Sequence, residues 1–309
     1  MKRQLAVITA ILLAPVVLQA AVYTLYDGAT GDIDADTSAW DATRDFTESG
    51  TGVVMIDNIA PVTPFNDGNA MRFDNMVTTD KPELQGEVAT LAGAPLTDAF
   101  RVDFQSYNNS SNYSGSEAIR FRMANSGKSI TSESRAAFSV SWQSDGKINA
   151  KYSDHGLNDG VANDVDTTST SFANENLYKV IDVTIIGNAK VAGTYSYTLF
   201  GESRTLNPQS YDVYIDEGSG FYLLNDNTDE WMINGLSFTL EKSAAEYDPA
   251  LGIGRFGLVG SSDSNSGTQM MYDNILLKTG ADVIPEPATI GLLGISGAFI
   301  LVSRRLRRK

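Results

Sequence analysis

No cysteine occurs in the 309 residues. The chain can therefore hold no disulfide, no thiolate metal site and no cysteine nucleophile. Histidine is almost as scarce, since His155 is the only one. That excludes a multi-histidine zinc or iron centre. A Ser-His-Asp system would need its base at His155, within the loop-like Ser153-Asp154-His155-Gly156, and nothing nearby resembles a nucleophile elbow. Positive charge is also in short supply, with 23 Lys and Arg against 38 Asp and Glu. Between the two chain ends, no stretch carries a sustained apolar stripe of helical period.

The two ends are different in kind. Lys2 and Arg3 precede an apolar run from Leu5 to Leu18, and Ala20 and Ala21 supply small residues after it. This is the layout of a secretory signal peptide over residues 1–20, with cleavage expected after Ala20. The other end reads PEPATIGLLGISGAFILVSRRLRRK from Pro285 to Lys309. Pro285, Glu286 and Pro287 lead into an apolar segment, and Arg304, Arg305, Arg307, Arg308 and Lys309 close the chain. As a helix, Ala288 to Val302 reaches about 22 Å. That is short against a hydrocarbon core of about 30 Å, but arginine side chains can snorkel to cover part of the difference. The basic end belongs in the cytoplasm by the positive-inside rule, which leaves everything before Pro285 outside.

The tail resembles the PEP-CTERM sorting domain of bacteria that make extracellular polysaccharide. The resemblance rests on the order of three parts: the Pro-Glu-Pro residues, the apolar segment and the terminal arginines. It implies recognition by a membrane-embedded exosortase, processing near Pro285, and delivery to the cell surface or extracellular matrix. Signal peptidase and the export machinery are the other implied partners. The expected organisation is a signal peptide (1–20), a body (21–280), a linker with the Pro-Glu-Pro motif (281–287), a single transmembrane helix (288–303) and a basic cytoplasmic tail (304–309).

Setting the end segments aside makes the body more acidic than the whole. Sixteen basic residues remain against 37 acidic ones, a net charge of about −21 where the full chain has −15. Nucleic acid is excluded as a partner, because phosphate binding needs basic patches. Strong negative charge suits solubility in a hydrated matrix.

The body reads as β structure. Phe100, Val102 and Phe104 alternate with polar residues, as do Ile119, Phe121 and Met123, then Phe138, Val140 and Trp142. Tyr195, Tyr197 and Leu199, then Tyr211, Val213 and Ile215, then Leu236, Phe238 and Leu240 repeat the pattern. Tyr178 to Ile186 has little polarity and suits a strand buried on both faces. Ser144-Asp145-Gly146-Lys147 signals a hairpin. Asn149 to Asn176, rich in Asp, Asn, Thr and Ser, is expected to be a long loop. Many short strands with polar turns indicate an all-β sandwich or jelly roll. The stretch GRFGLVGSSDSNSGTQMMYDNILLKTG, Gly254 to Gly280, resembles the last two strands of concanavalin A-like, laminin-G-like jelly rolls. That resemblance implies a jelly-roll β-sandwich and leaves function open, since such folds serve binding, adhesive and catalytic proteins.

Carbohydrate-active jelly rolls of the laminarinase type use a Glu-x-Asp-x-Glu strand, and none occurs here. No catalytic residue is assigned. Calcium is the one metal left open. Asp32, Asp34 and Asp36 open like an EF-hand loop, but Thr37 and Thr43 stand where a glycine and an acid belong. Asp273 alternates with Met271, Ile275 and Leu277, which would aim it at an apolar face. Its partner there would be a calcium ion or backbone N–H groups. For polysaccharide contact, Trp231 after the acidic loop Asn225 to Glu230 is the candidate, while Trp142 belongs in the core. The sequence thus points to a non-enzymatic exported surface or matrix protein, structural or adhesive, with extracellular polysaccharide as a candidate ligand. The alternative is a carbohydrate-active hydrolase or lyase.

Overall fold

The computed structural model describes residues 21–26, 54–57, 70–75, 83–88, 92–109, 117–128, 130, 136–143, 148–151, 178–224, 238–239, 248–260, 268–280 and 283. They contain sixteen strands. The first eight are β1 (Ala21–Tyr26), β2 (Val54–Asp57), β3 (Ala70–Asn75), β4 (Glu83–Glu87), β5 (Ala99–Asn108), β6 (Glu117–Ala124), β7 (Ala136–Gln143) and β8 (Ile148–Lys151). The remainder are β9 (Val180–Asn188), β10 (Tyr195–Leu199), β11 (Glu202–Leu206), β12 (Ser210–Asp216), β13 (Tyr222–Leu223), β14 (Phe238–Thr239), β15 (Arg255–Gly260) and β16 (Thr268–Thr279).

Period-two alternation fixes which side of each strand is buried. Phe100, Val102 and Phe104 of β5 face inward, and so do Ile181, Val183 and Ile185 of β9 and Tyr211, Val213 and Ile215 of β12. These belong to a nine-stranded sheet in the order β13-β12-β9-β5-β16-β3-β2, with β1 also on β16 and β14 on β12. A five-stranded sheet, β4-β15-β6-β7-β8, supplies Phe121, Met123, Phe138, Val140, Trp142, Phe256 and Leu258 to the same core. Aromatic rings join the two layers: Phe104 lies 5.4 Å from Phe121 and 5.6 Å from Trp142, and Phe138 lies 4.8 Å from Tyr211. Each such side chain contributes about 1.5–3 kcal/mol on burial. The molecule is an antiparallel two-sheet β-sandwich, as expected, and Trp142 is in its core.

Close approach sets one glycine. Gly187 pairs with Phe100 across β9 and β5, and the Phe100 ring fills the space where a Cβ would stand, 2.1 Å from its Cζ.

Three expectations are corrected. β9 begins at Val180, because Tyr178 adopts a left-handed φ of 61° and is exposed, so the buried run starts two residues late. The expected loop from Asn149 loses its first residues to β8, which pairs with β7 across residues 144–147 as the hairpin signal required. The third concerns Asp273. Asp273 pairs with Gln105, but the next pairing on β16 is Leu276 with Asp103, so three steps on β16 match two on β5. The extra residue is a bulge with Asn274 at φ 51°. A bulge reverses the parity of everything beyond it. Ile275 and Leu277 therefore face the core, whereas Asp273 shares the opposite face with Met271.

Candidate functional site

The outer face of the larger sheet carries a dense set of polar contacts among the described residues. Among the described residues, β10 and β11 pair only with each other, and they fold over one end of that face. Alternation along the hairpin turns Tyr197 and Leu206 toward the sheet, where they form a second apolar cluster with Ala99, Ile186, Tyr214 and Leu223. Within it, Tyr197 donates to Asp212 Oδ2 at 2.5 Å, and Arg204 Nε donates to the same oxygen at 2.7 Å. Tyr197 has a single proton, so Tyr214 is the donor in the 3.0 Å contact between the two phenols. Asp212 is wholly buried, and a buried carboxylate needs such partners. Burial, and then the Asp212 charge, hold the Tyr197 hydroxyl far above the ordinary tyrosine range. Burial also pushes Tyr214 up to about 12.

At the tip of this hairpin the chain turns through Phe200 (φ 51°) and Gly201 (φ 87°). Two successive positive φ angles are those of a type I′ turn, whose first central position prefers Asn, Asp or Gly. A phenylalanine there is strained. Its ring stacks on Phe221 with centroids 3.8 Å apart and 6° between planes, and meets Tyr214 edge-on at 5.5 Å. Phe200 is still 40% exposed. The sequence reading missed this pair. The available signal was the Phe-Gly dipeptide between two alternating runs, which marks a tight turn with a ring at its tip.

Beyond the hairpin the outer face is a net of ion pairs. Asp103 accepts from Arg101 Nε at 2.7 Å and Thr184 Oγ1 at 2.6 Å, and its second oxygen meets Lys278 Nζ at 2.6 Å. Gln105 donates to Asp182 at 2.8 Å. Asp273 is buried, and its two oxygens accept from the backbone N–H and the side-chain amide of Asn274, at 2.7 and 2.9 Å. The backbone N–H is one of the two partners foreseen for Asp273. Among the described residues no group of three or more His, Cys, Asp or Glu stands in a metal-holding arrangement.

Trp231, His155, Asp32, Asp34 and Asp36 lie outside the described residues, as do Ala20, Pro285, Glu286, Pro287 and the basic cluster Arg304 to Lys309. No helix among the described residues is long and apolar enough to cross a membrane. Ala21 opens β1 and pairs with Thr279, at the end of β16. Val283, which falls in the expected linker, is fully buried in the cluster under the hairpin.

No curated protein matches the sequence. Among solved structures, the lectin I-B4 of Griffonia simplicifolia in its metal-free form is 9% identical, with TM-score 0.46, covering 84% of this chain and 98% of that one. Peanut lectin with a nine-residue peptide is 10% identical, with TM-score 0.45 and coverage of 84% and 98%. A carbohydrate esterase from the Shiga toxin-encoding bacteriophage phi24B is 12% identical, with TM-score 0.43 and coverage of 84% and 100%. Residues 283–308 match the PEP-CTERM protein-sorting motif. The chain carries that motif at its C-terminal end, and the motif marks it as a secreted protein anchored in the membrane by its C-terminus before processing.

Proposed function

We propose that this protein is a non-enzymatic surface or matrix component, delivered by its sorting motif, whose body contacts extracellular polysaccharide through the Phe200–Phe221 rings. The observation that carries this is the exposed Phe200 ring, set at the hairpin tip against its backbone preference and braced by Phe221. Aromatic surface flanked by a few oriented polar groups is what sugar rings pack against. Strain kept at an exposed position is a pointer to function, and here it keeps a ring presented to solvent. The acidic body is suited to a hydrated polymer network. The hairpin that carries the ring is held by Asp212, whose oxygens are taken up by Tyr197 and Arg204.

The test is retention of the purified body on immobilised extracellular polysaccharide, with the polymer's chain length followed in parallel. Retention that falls at least tenfold in Phe200→Ala, with chain length unchanged, is expected. Equal retention of the variant removes the ring pair from the account, and shortening of the polymer overturns the non-enzymatic role.

A further inference from the structure

β16 ends at Thr279, Gly280 takes a left-handed φ of 63°, and the Val283 N–H closes a turn onto the Gly280 carbonyl at 3.4 Å. The turn swings the chain back over the outer face of the large sheet. Val283 is then completely buried, in the cluster that holds Ala99, Ile186, Leu206 and Tyr214 beneath the β10–β11 hairpin. The hairpin is itself held down by Tyr197 and Arg204 on Asp212. Val283 is also the first residue of the sorting motif. The motif therefore starts inside the folded body.

We propose that this seat is a brake on processing: the folded body holds the sorting segment at Val283, the cut falls beyond Val283, and its rate is set by release of the seat. The inference rests on the sorting motif and concerns its regulation. Ile284 is the only residue between the seat and Pro285, so Pro285 stays within about 7 Å of the seated Val283 Cα. A processing enzyme must draw an extended segment into its cleft, and a segment pinned that close to a folded face leaves little room. Releasing the seat frees the chain back to Gly280, which lengthens its reach to Pro285 to about 18 Å. Cleavage that needs a transient opening follows the population of the open form. Burial of one valine favours the closed form by roughly tenfold to a hundredfold. The seat also keeps the membrane segment close, because Ala288 lies at most about 18 Å along the chain from Val283.

The test uses the full chain in a host that exports and processes it. The intact mass of the released body is expected to end at Ile284 or beyond. Val283→Asp, which places a carboxylate in the apolar seat, and Leu206→Ala, which loosens the seat without touching the sorting motif, are followed by pulse-chase. Leu206→Ala decides the rate, and processing at least fivefold faster than wild type is expected. Proteinase K digestion of the purified unprocessed chain gives an independent reading. The bonds between Gly280 and Ile284 are expected to resist in wild type and to be cut at least tenfold faster in both variants. A released body ending at or before Asp282, or a Leu206→Ala rate and digestion pattern equal to wild type, overturns the brake alone. No processing of any chain overturns the sorting reading together with it.

Discussion

Ala21 and Thr279 are antiparallel partners at one end of the β1–β16 pair. The first described strand and the strand that leads toward the sorting motif thus meet at a single place. The pairing can be captured covalently, because the chain has no native cysteine to interfere. Antiparallel partners have Cα atoms about 4.5–5.5 Å apart, inside the span a disulfide bridges. Cysteines at positions 21 and 279 are expected to form one bond on oxidation, leaving no titratable thiol in the folded body. Two free thiols after oxidation would contradict the pairing.

The Tyr197–Asp212 bond under the hairpin makes a stability prediction. Tyr197→Phe removes a hydrogen bond to a charged, wholly buried acceptor, at a cost of about 1.5–3 kcal/mol. Asp212 keeps Arg204, so the loss stays below that of stranding the carboxylate. Urea denaturation measures it.

The same cluster sets an alkaline limit. The ordinary tyrosine value is 10.0, and burial raises Tyr214 to about 12, Tyr197 further still, and Tyr211 and Tyr272 well above the ordinary value. The folded state holds these protons more tightly than the unfolded chain does. Their contribution is fully present below pH about 10 and is lost as pH rises through 12 and beyond. Unfolding followed from pH 8 to 12 is expected to be flat at first and then to fall, with a shallower fall in Tyr214→Phe.

Gly187 is predicted to resist any side chain. In Gly187→Ala the new Cβ would meet three Phe100 ring atoms at 2.1 to 2.9 Å. Phe100 is wholly buried and stacked 6.1 Å from Phe138, so its ring has nowhere to swing. Overpacking of this kind costs about 1–3 kcal/mol or more. An unchanged denaturation midpoint would refute the packing described for β5 and β9.

Phe200→Asn separates binding from stability. It creates the Asn-Gly pair that type I′ turns prefer, relieving about 1 kcal/mol of backbone strain. It also removes the stacking on Phe221, worth about 0.5–1.5 kcal/mol. The two nearly cancel, so thermal stability is expected within about 1 kcal/mol of wild type while polysaccharide retention falls. A variant that is both stable and fully retained removes the rings as the contact surface.

Much of the sandwich was legible in sequence because burial on one face of a strand imposes a period of two. Phe100, Val102 and Phe104 mark the inner face of β5 without any knowledge of the partner strands. The period fails wherever one residue is inserted or a backbone turns left-handed. Asn274 does both, and it moved Asp273 from the expected apolar face to the other side of the sheet. Val283 was hidden for a different reason. A single apolar residue in a linker has no period, and its seat is built from residues of β5, β9, β11 and β12 that are distant in sequence. Phe200 was passed over because alternation describes strands and is silent about the turn between them. The sorting motif, by contrast, is read locally and needs no fold to be recognised.

Delivery by the C-terminal motif is tested most directly by fractionating cells that make the full chain with and without the exosortase. With the enzyme, the body is expected in the outer fraction or medium, shortened at its C-terminus. Without it, the full-length chain is expected in the membrane with the body outside the cytoplasm. Identical size and location in both strains, or a body left in the cytoplasm, would contradict it.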